Sequence, residues 1–181
     1  VVDDEMGEDY ARLAGLTAEE DLTEPLRQSM QKRLPWLFVL LGLGLLVSTV
    51  VGAFEQVMSQ LTLIMCFQSL ILDMAGNVGT QSLAVTIRVL MDENLTFRQK
   101  FGLVVKEVRI GSANGLLLGL ASFVLIGLYI WLFRSRDLMT AFAVSGCIGL
   151  SLLVAMAISS AVGTLIPLFF KKINIDPAVA S

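Results

Sequence analysis

Histidine is absent from this chain and cysteine occurs only twice. The first absence removes the usual imidazole metal ligand and the usual general base. Cys66 and Cys147 stand in apolar runs with no CxxC or Cys/His partner, which indicates neither a disulfide framework nor a thiolate metal site. Any metal is therefore held by oxygen. No nucleophile–base pair and no nucleotide-binding glycine loop is present, which argues against an enzyme. The opening from Val1 is acidic, without the basic n-region and apolar core of a signal peptide, and the chain reads as a piece of something longer.

What is abundant is hydrophobic surface, at 55% of residues. That lies above the roughly 45–50% of ordinary soluble domains and indicates an integral membrane protein of the all-α, polytopic helical-bundle class. The length leaves room for one compact membrane domain and a short polar extension. Four runs approach or exceed the ~20 apolar residues that span a bilayer. They cover residues 36–54, 61–87, 104–133 and 138–170.

Basic residues order these runs across the membrane. Arg27, Lys32 and Arg33 precede the first; Arg88, Arg98, Lys100, Lys106 and Arg109 collect between the second and third; Lys171 and Lys172 follow the fourth. The first connection, "EQVMSQ", has no basic residue and the third has only Arg134 and Arg136. The positive-inside rule then places the start, the second connection and the end in the cytoplasm. Trp36, Tyr129 and Trp131 fall near the expected interfaces.

Residues 1–34 differ from the rest and form a cytoplasmic acidic region ahead of a membrane domain over 35–181. Nine of the first 24 residues are acidic and only Arg12 is basic. Gly15 is a plausible helix stop, "TAEE" at Thr17 to Glu20 is a capping box, and Thr23 with Pro25 predicts a short helix carrying Leu26 and Met30.

Inside the second run, "DMAGNVGTQSLAVTIR" breaks the apolar pattern. Asp73, Asn77 and Gln81 recur at i, i+4 and i+8, one stripe of a helix, with Thr80 beside them. Facing lipid they would cost several kcal/mol in total, since one charge near the midplane costs ~2.5–3.5 kcal/mol on insertion scales. The stripe is thus expected to face a partner helix or a watery path. Gly76 and Gly79, with Ala75, leave a smooth surface for close backbone approach. The oxygen-only donor set suits hard ions such as Mg²⁺ or Ca²⁺. The plain alternative is that Asn77 and Gln81 fasten helices together.

A second constellation precedes the membrane. Glu5, Glu8 and Asp9 are spaced i, i+3, i+4, so a helix there would crowd three carboxylates on one face, each pair repelling by a few tenths of a kcal/mol. A divalent cation would reverse that repulsion. A solvated or disordered acidic tail is the alternative. Asp176, the only acid after Asp137, lies on the same expected side and could share an ion with this face.

"GNVGTQSLAVTIR" resembles the G-G-N-x-G-x-Q-[ST] signature in the second membrane helix of the MgtE family of magnesium channels. "RLPWL", "GAFE" and "INIDPAVAS" resemble that family as well, in order and over essentially the whole chain. The resemblance implies a homodimer of five helices per subunit enclosing a Mg²⁺ pore lined by the second and fifth helices, in a bacterial inner membrane. It implies that CBS sensing domains precede the membrane domain through a connecting or plug helix, which "DDEMGEDYARLAG" resembles. Glu5, Glu8, Asp9 and Asp176 then fall on carboxylates that hold regulatory Mg²⁺, and Asn77 on the pore asparagine. Two positions depart from the pattern: Asp73 stands where a small residue is expected, and Ala75 replaces the first glycine. The fifth helix would follow Ser181.

The resulting expectation is the membrane domain of a Mg²⁺ channel or transporter. Its pore-lining set is Asn77, Thr80, Gln81, Asp73, Gly76 and Gly79; its regulatory metal set is Glu5, Glu8, Asp9 and Asp176. Mg²⁺ is both substrate and regulatory ion, lipid and a second copy are the partners, and nucleic acid is not one. Transport of Mn²⁺ or Co²⁺, or a non-conducting membrane scaffold, are the rival readings.

Overall fold

In a computed structural model, residues 25–55, 62–92 and 96–173 are described, and every regular element among them is a helix. These are α1 (Leu26–Gly52), α2 (Thr62–Met65), α3 (Gln68–Asp92), α4 (Phe97–Phe133) and α5 (Leu138–Lys172). Helices are the expected solution in lipid, where each backbone polar group must find its partner within the chain. Helices α1, α4 and α5 are long and apolar enough to cross a membrane. Of the four expected spans, the second is the short α2 followed by α3, which has 25 residues but interrupts its apolar surface with the polar stripe. The chain is a multi-pass membrane protein.

Two boundaries differ from expectation. The short helix expected to open near Pro25 is not separate from the first span: α1 runs unbroken for 27 residues with Pro35 inside it. Pro35 removes one backbone donor, yet apolar residues on all sides of the following turns carry the helix onward. Helix α4 begins at Phe97, well before the apolar run at 104, and its 37 residues make it about 55 Å long. A hydrocarbon core is roughly 30 Å thick, so the first turns of α4 extend beyond it. Exposed Arg98, Lys106 and Arg109 occupy those turns.

Local chemistry sets the helix starts. At Thr96 the Gln99 side chain accepts from the Thr96 backbone N–H at 2.8 Å, closing a capping box. A short turn joins α4 to α5, with Ser135 at φ 50° in the left-handed region. Asp137 then caps α5 by accepting from the Thr140 N–H at 2.9 Å.

That backbone hydrogen bond, first among several causes, holds the fully exposed Asp137 carboxyl below its ordinary value of 3.8. Because the folded value is the lower one, the cap stabilises the fold at all pH above the ordinary value. The contribution is lost as pH falls through the folded value. We expect thermal stability in detergent to be insensitive to this group above about pH 5, and to drop more steeply in acid than it does for Asp137→Asn. Superimposable acid limbs for the two proteins would refute this.

Helix α5 is the centre of the bundle, packed against both α4 and α3. Small residues make both contacts. On α4, Gly111, Gly115 and Gly119 recur every four residues, and a β-carbon built there would lie 2.9 Å from the Met156 carbonyl, 2.8 Å from Leu153 Cα and 2.6 Å from the Gly149 carbonyl, respectively. In lipid, helix association rests on such close packing and on interhelical hydrogen bonds, because lipid tails are as apolar as leucine. Farther along, Ile126 and Ile130 of α4 meet Ala141, Ile148 and Leu152 of α5 in the apolar core, with Phe67, Ile71 and Met74 against them. Helix α1 buries no residue against the others.

Candidate functional site: the open face of α3

Helix α3 has two polar faces, and they differ in what they do. One is turned to α5. Ser82 and Ser160 share a hydrogen bond at 2.7 Å, and the Ser159 hydroxyl donates to the Ala75 carbonyl at 2.6 Å. Buried Thr86 and Thr164 donate back to the carbonyls of Ser82 and Ser160 at 2.7 and 2.9 Å. The Lys171 ammonium donates to the Leu90 carbonyl in the last turn of α3, where a cation also suits the helix dipole. Gly79 belongs to this face: its carbonyl lies against Gly163, and a β-carbon on it would strike the Ser159 side chain.

The other face is open. Asp73, Gly76, Asn77, Thr80 and Gln81 are all exposed, as is Arg88 two turns farther along the same stripe. Asp73 to Gln81 spans about 12 Å of helix axis. Thr80 donates its hydroxyl proton to the Asn77 carbonyl at 2.9 Å, leaving its oxygen lone pairs outward. Among the described residues, Asn77 and Gln81 make no side-chain hydrogen bond. The groups that fasten α3 to α5 are therefore a separate set from the stripe, supplied by serines, a lysine and a glycine. Gly76 and Gly79, three residues apart, part company: nothing lies within 4 Å of a β-carbon at Gly76.

The open face presents amide, hydroxyl and carboxylate oxygens in a line on one wall. One helix by itself cannot enclose an ion. Among the described residues no group of three or more Asp, Glu, Cys or His converges to grip a bare metal. Spaced amide and hydroxyl oxygens suit an ion that keeps its water shell, as Mg²⁺ does. The proposed regulatory set, Glu5, Glu8, Asp9 and Asp176, lies outside the described residues.

The sequence reading did not single out Glu107. It is 4% exposed on α4, one turn from Gly111 on the face that meets Ser160 and Met156, and no hydrogen bond or ion pair reaches its carboxylate among the described residues. A carboxylate buried without a partner is costly, which marks Glu107 as a functional candidate. The signal was available: Glu107 continues the four-residue stripe of Gly111, Gly115 and Gly119, the face that had to pack.

Residues 68–181 match the family described as MgtE, divalent cation transporter. Three curated proteins, each named magnesium transporter MgtE, are similar over most or all of the chain. The one from Enterococcus faecalis is 38% identical over 184 residues, covering 100% of this chain and 38% of that protein. The one from Bacillus subtilis is 32% identical over 181 residues, with the same two coverages. The one from Thermus thermophilus is 30% identical over 149 residues, covering 82% of this chain and 31% of that protein. The chain thus spans well under half the length of these relatives.

Proposed function

The chain belongs to the MgtE family of divalent cation transporters, and from that premise we propose that it forms the membrane domain of a Mg²⁺ channel or transporter. The observation that carries this reading is the division of labour on α3. Helix fastening is done by Ser82, Ser159, Ser160, Gly79 and Lys171, while Asn77 and Gln81 remain free to serve something outside the subunit. A second copy in a homodimer supplies the missing wall, so that the stripe lines a path between subunits. Mg²⁺ passes largely hydrated, and the oxygens of Asn77, Thr80 and Gln81 accept hydrogen bonds from its water shell.

The location is a bacterial inner membrane with the basic ends of α1, α4 and α5 in the cytoplasm, as the asymmetry of lysine and arginine supports. Glu5, Glu8, Asp9 and Asp176 form a cytoplasmic lock. Bound Mg²⁺ draws these carboxylates together when internal Mg²⁺ is high, and their mutual repulsion opens the path when it is low.

The test is Mg²⁺ entry into liposomes loaded with a Mg²⁺-sensitive dye, with Mn²⁺ and Co²⁺ as competitors. Conduction in low internal Mg²⁺ is the expected result; a folded protein that passes no divalent ion would overturn the reading. For the lock, Glu5→Gln combined with Glu8→Gln is expected to keep Mg²⁺ entry high at internal concentrations that shut the unmodified protein. Unchanged shut-off in the double variant would remove these residues from regulation.

A further inference from the structure

The first turns of α4 and the last turns of α5 leave a groove of about 500 Å³. Phe97, Phe101, Leu165 and Phe169 are among its apolar walls, and Lys100 and Lys172 are its two charged lining residues. Phe97 is 86% exposed and Phe101 63%, so these are large apolar side chains with no protein against their outer faces among the described residues. Lys100 is half-buried and Lys172 exposed. No hydrogen bond or ion pair reaches either ammonium among the described residues. Lys171, next in sequence, is instead committed to the Leu90 carbonyl.

An apolar trough with two ammonium groups, at the end of the bundle where α4 leaves the hydrocarbon, has the chemistry of an amphiphile with an anionic head. Lysine stems lie along apolar surface while the charged ends reach the interface. Basic pockets between membrane helices suit acidic lipid head groups. A free anion would satisfy the lysines but leave the phenylalanines bare, and a neutral lipid would do the reverse. We propose that this groove binds one anionic phospholipid, with its phosphate between Lys100 and Lys172 and an acyl chain along Phe101, Leu165 and Phe169. The inference does not depend on which ion the protein carries.

The experiment is native mass spectrometry of the detergent-purified protein titrated with phosphatidylglycerol or with phosphatidylcholine. One phosphatidylglycerol per subunit is expected to be retained in preference to phosphatidylcholine. Each basic residue near an anionic lipid contributes a factor of roughly five, so Lys100→Gln with Lys172→Gln should weaken that binding about thirtyfold, and either alone about fivefold. Lys106→Gln, at the same end of α4 but outside the groove, is expected to change nothing. Phe101→Ala should weaken phosphatidylglycerol binding without altering charge, which diffuse attraction to a basic surface does not predict. Equal retention of the two lipids, undiminished binding in the folded double variant, or complete displacement by inorganic phosphate would each overturn the proposal.

Discussion

Asn77→Leu is expected to reduce Mg²⁺ entry into dye-loaded liposomes by 10- to 100-fold while the protein remains folded and assembled. The magnitude follows from the interaction removed. A hydrogen bond to a charged partner, here the water shell of a divalent ion, is worth ~1.5–3 kcal/mol, and that range converts to about those factors in rate. Stability should hardly change, because the side chain is exposed and makes no hydrogen bond among the described residues. Leucine at this position is similar in size and compatible with a helix, so lost flux would report lost polarity. The scaffold reading makes the opposite forecast: if Asn77 bonds to a partner helix, Asn77→Leu weakens assembly. Measuring flux beside oligomeric state in detergent separates the two readings. Weakened assembly with flux per assembled protein unchanged would favour the scaffold.

Gly163→Ala carries the largest expected effect on folding. A β-carbon at this position would collide with the carbonyl group of Gly79, 3.1 Å from its carbon and nearer still to its oxygen. Backbone cannot rotate aside as a side chain can, so α3 and α5 must separate. That separation strains the Ser82–Ser160 and Ser159–Ala75 hydrogen bonds around the crossing. Overpacking of one methyl group in a tight contact costs ~1–3 kcal/mol, and these bonds put the expected loss toward the upper end. Gly79→Ala should be milder, because its β-carbon meets the Ser159 hydroxyl, a side chain that can turn away at the cost of its hydrogen bond to the Ala75 carbonyl. Gly76→Ala should be neutral or slightly stabilising, since the position is open and alanine is the better helix former. Thermal unfolding of the three variants in one detergent gives the ranking. Equal effects at Gly163 and Gly76 would mean that α3 and α5 do not cross where the structure places them.

Much of the architecture was legible before any coordinates. Long apolar runs become helices because lipid offers no partner for unpaired backbone groups, which is why the spans could be located from hydropathy. Asp73, Asn77 and Gln81 fall on one stripe because the helical repeat places i, i+4 and i+8 together. The motif around Asn77 pointed to the family that residues 68–181 match. Boundaries were less legible: α1 passes through Pro35, and α4 starts several residues before its apolar run.

What only the tertiary structure decided is which face of each helix is packed. In water an apolar face seeks the core, and its pattern reveals the core. In a membrane both the lipid-facing and packed sides are apolar, and association depends on close backbone fit instead. The sequence therefore marked Gly76 and Gly79 alike as expected places of close approach, and the structure corrects this: only Gly79 meets a neighbour. It determined that α3 was polar, without separating Ser82, which bonds to α5, from the asparagine and glutamine that stay open. Glu107 shows the same division: its place on the glycine stripe of α4 could be read from the spacing, while its burial is a property of the packed helices.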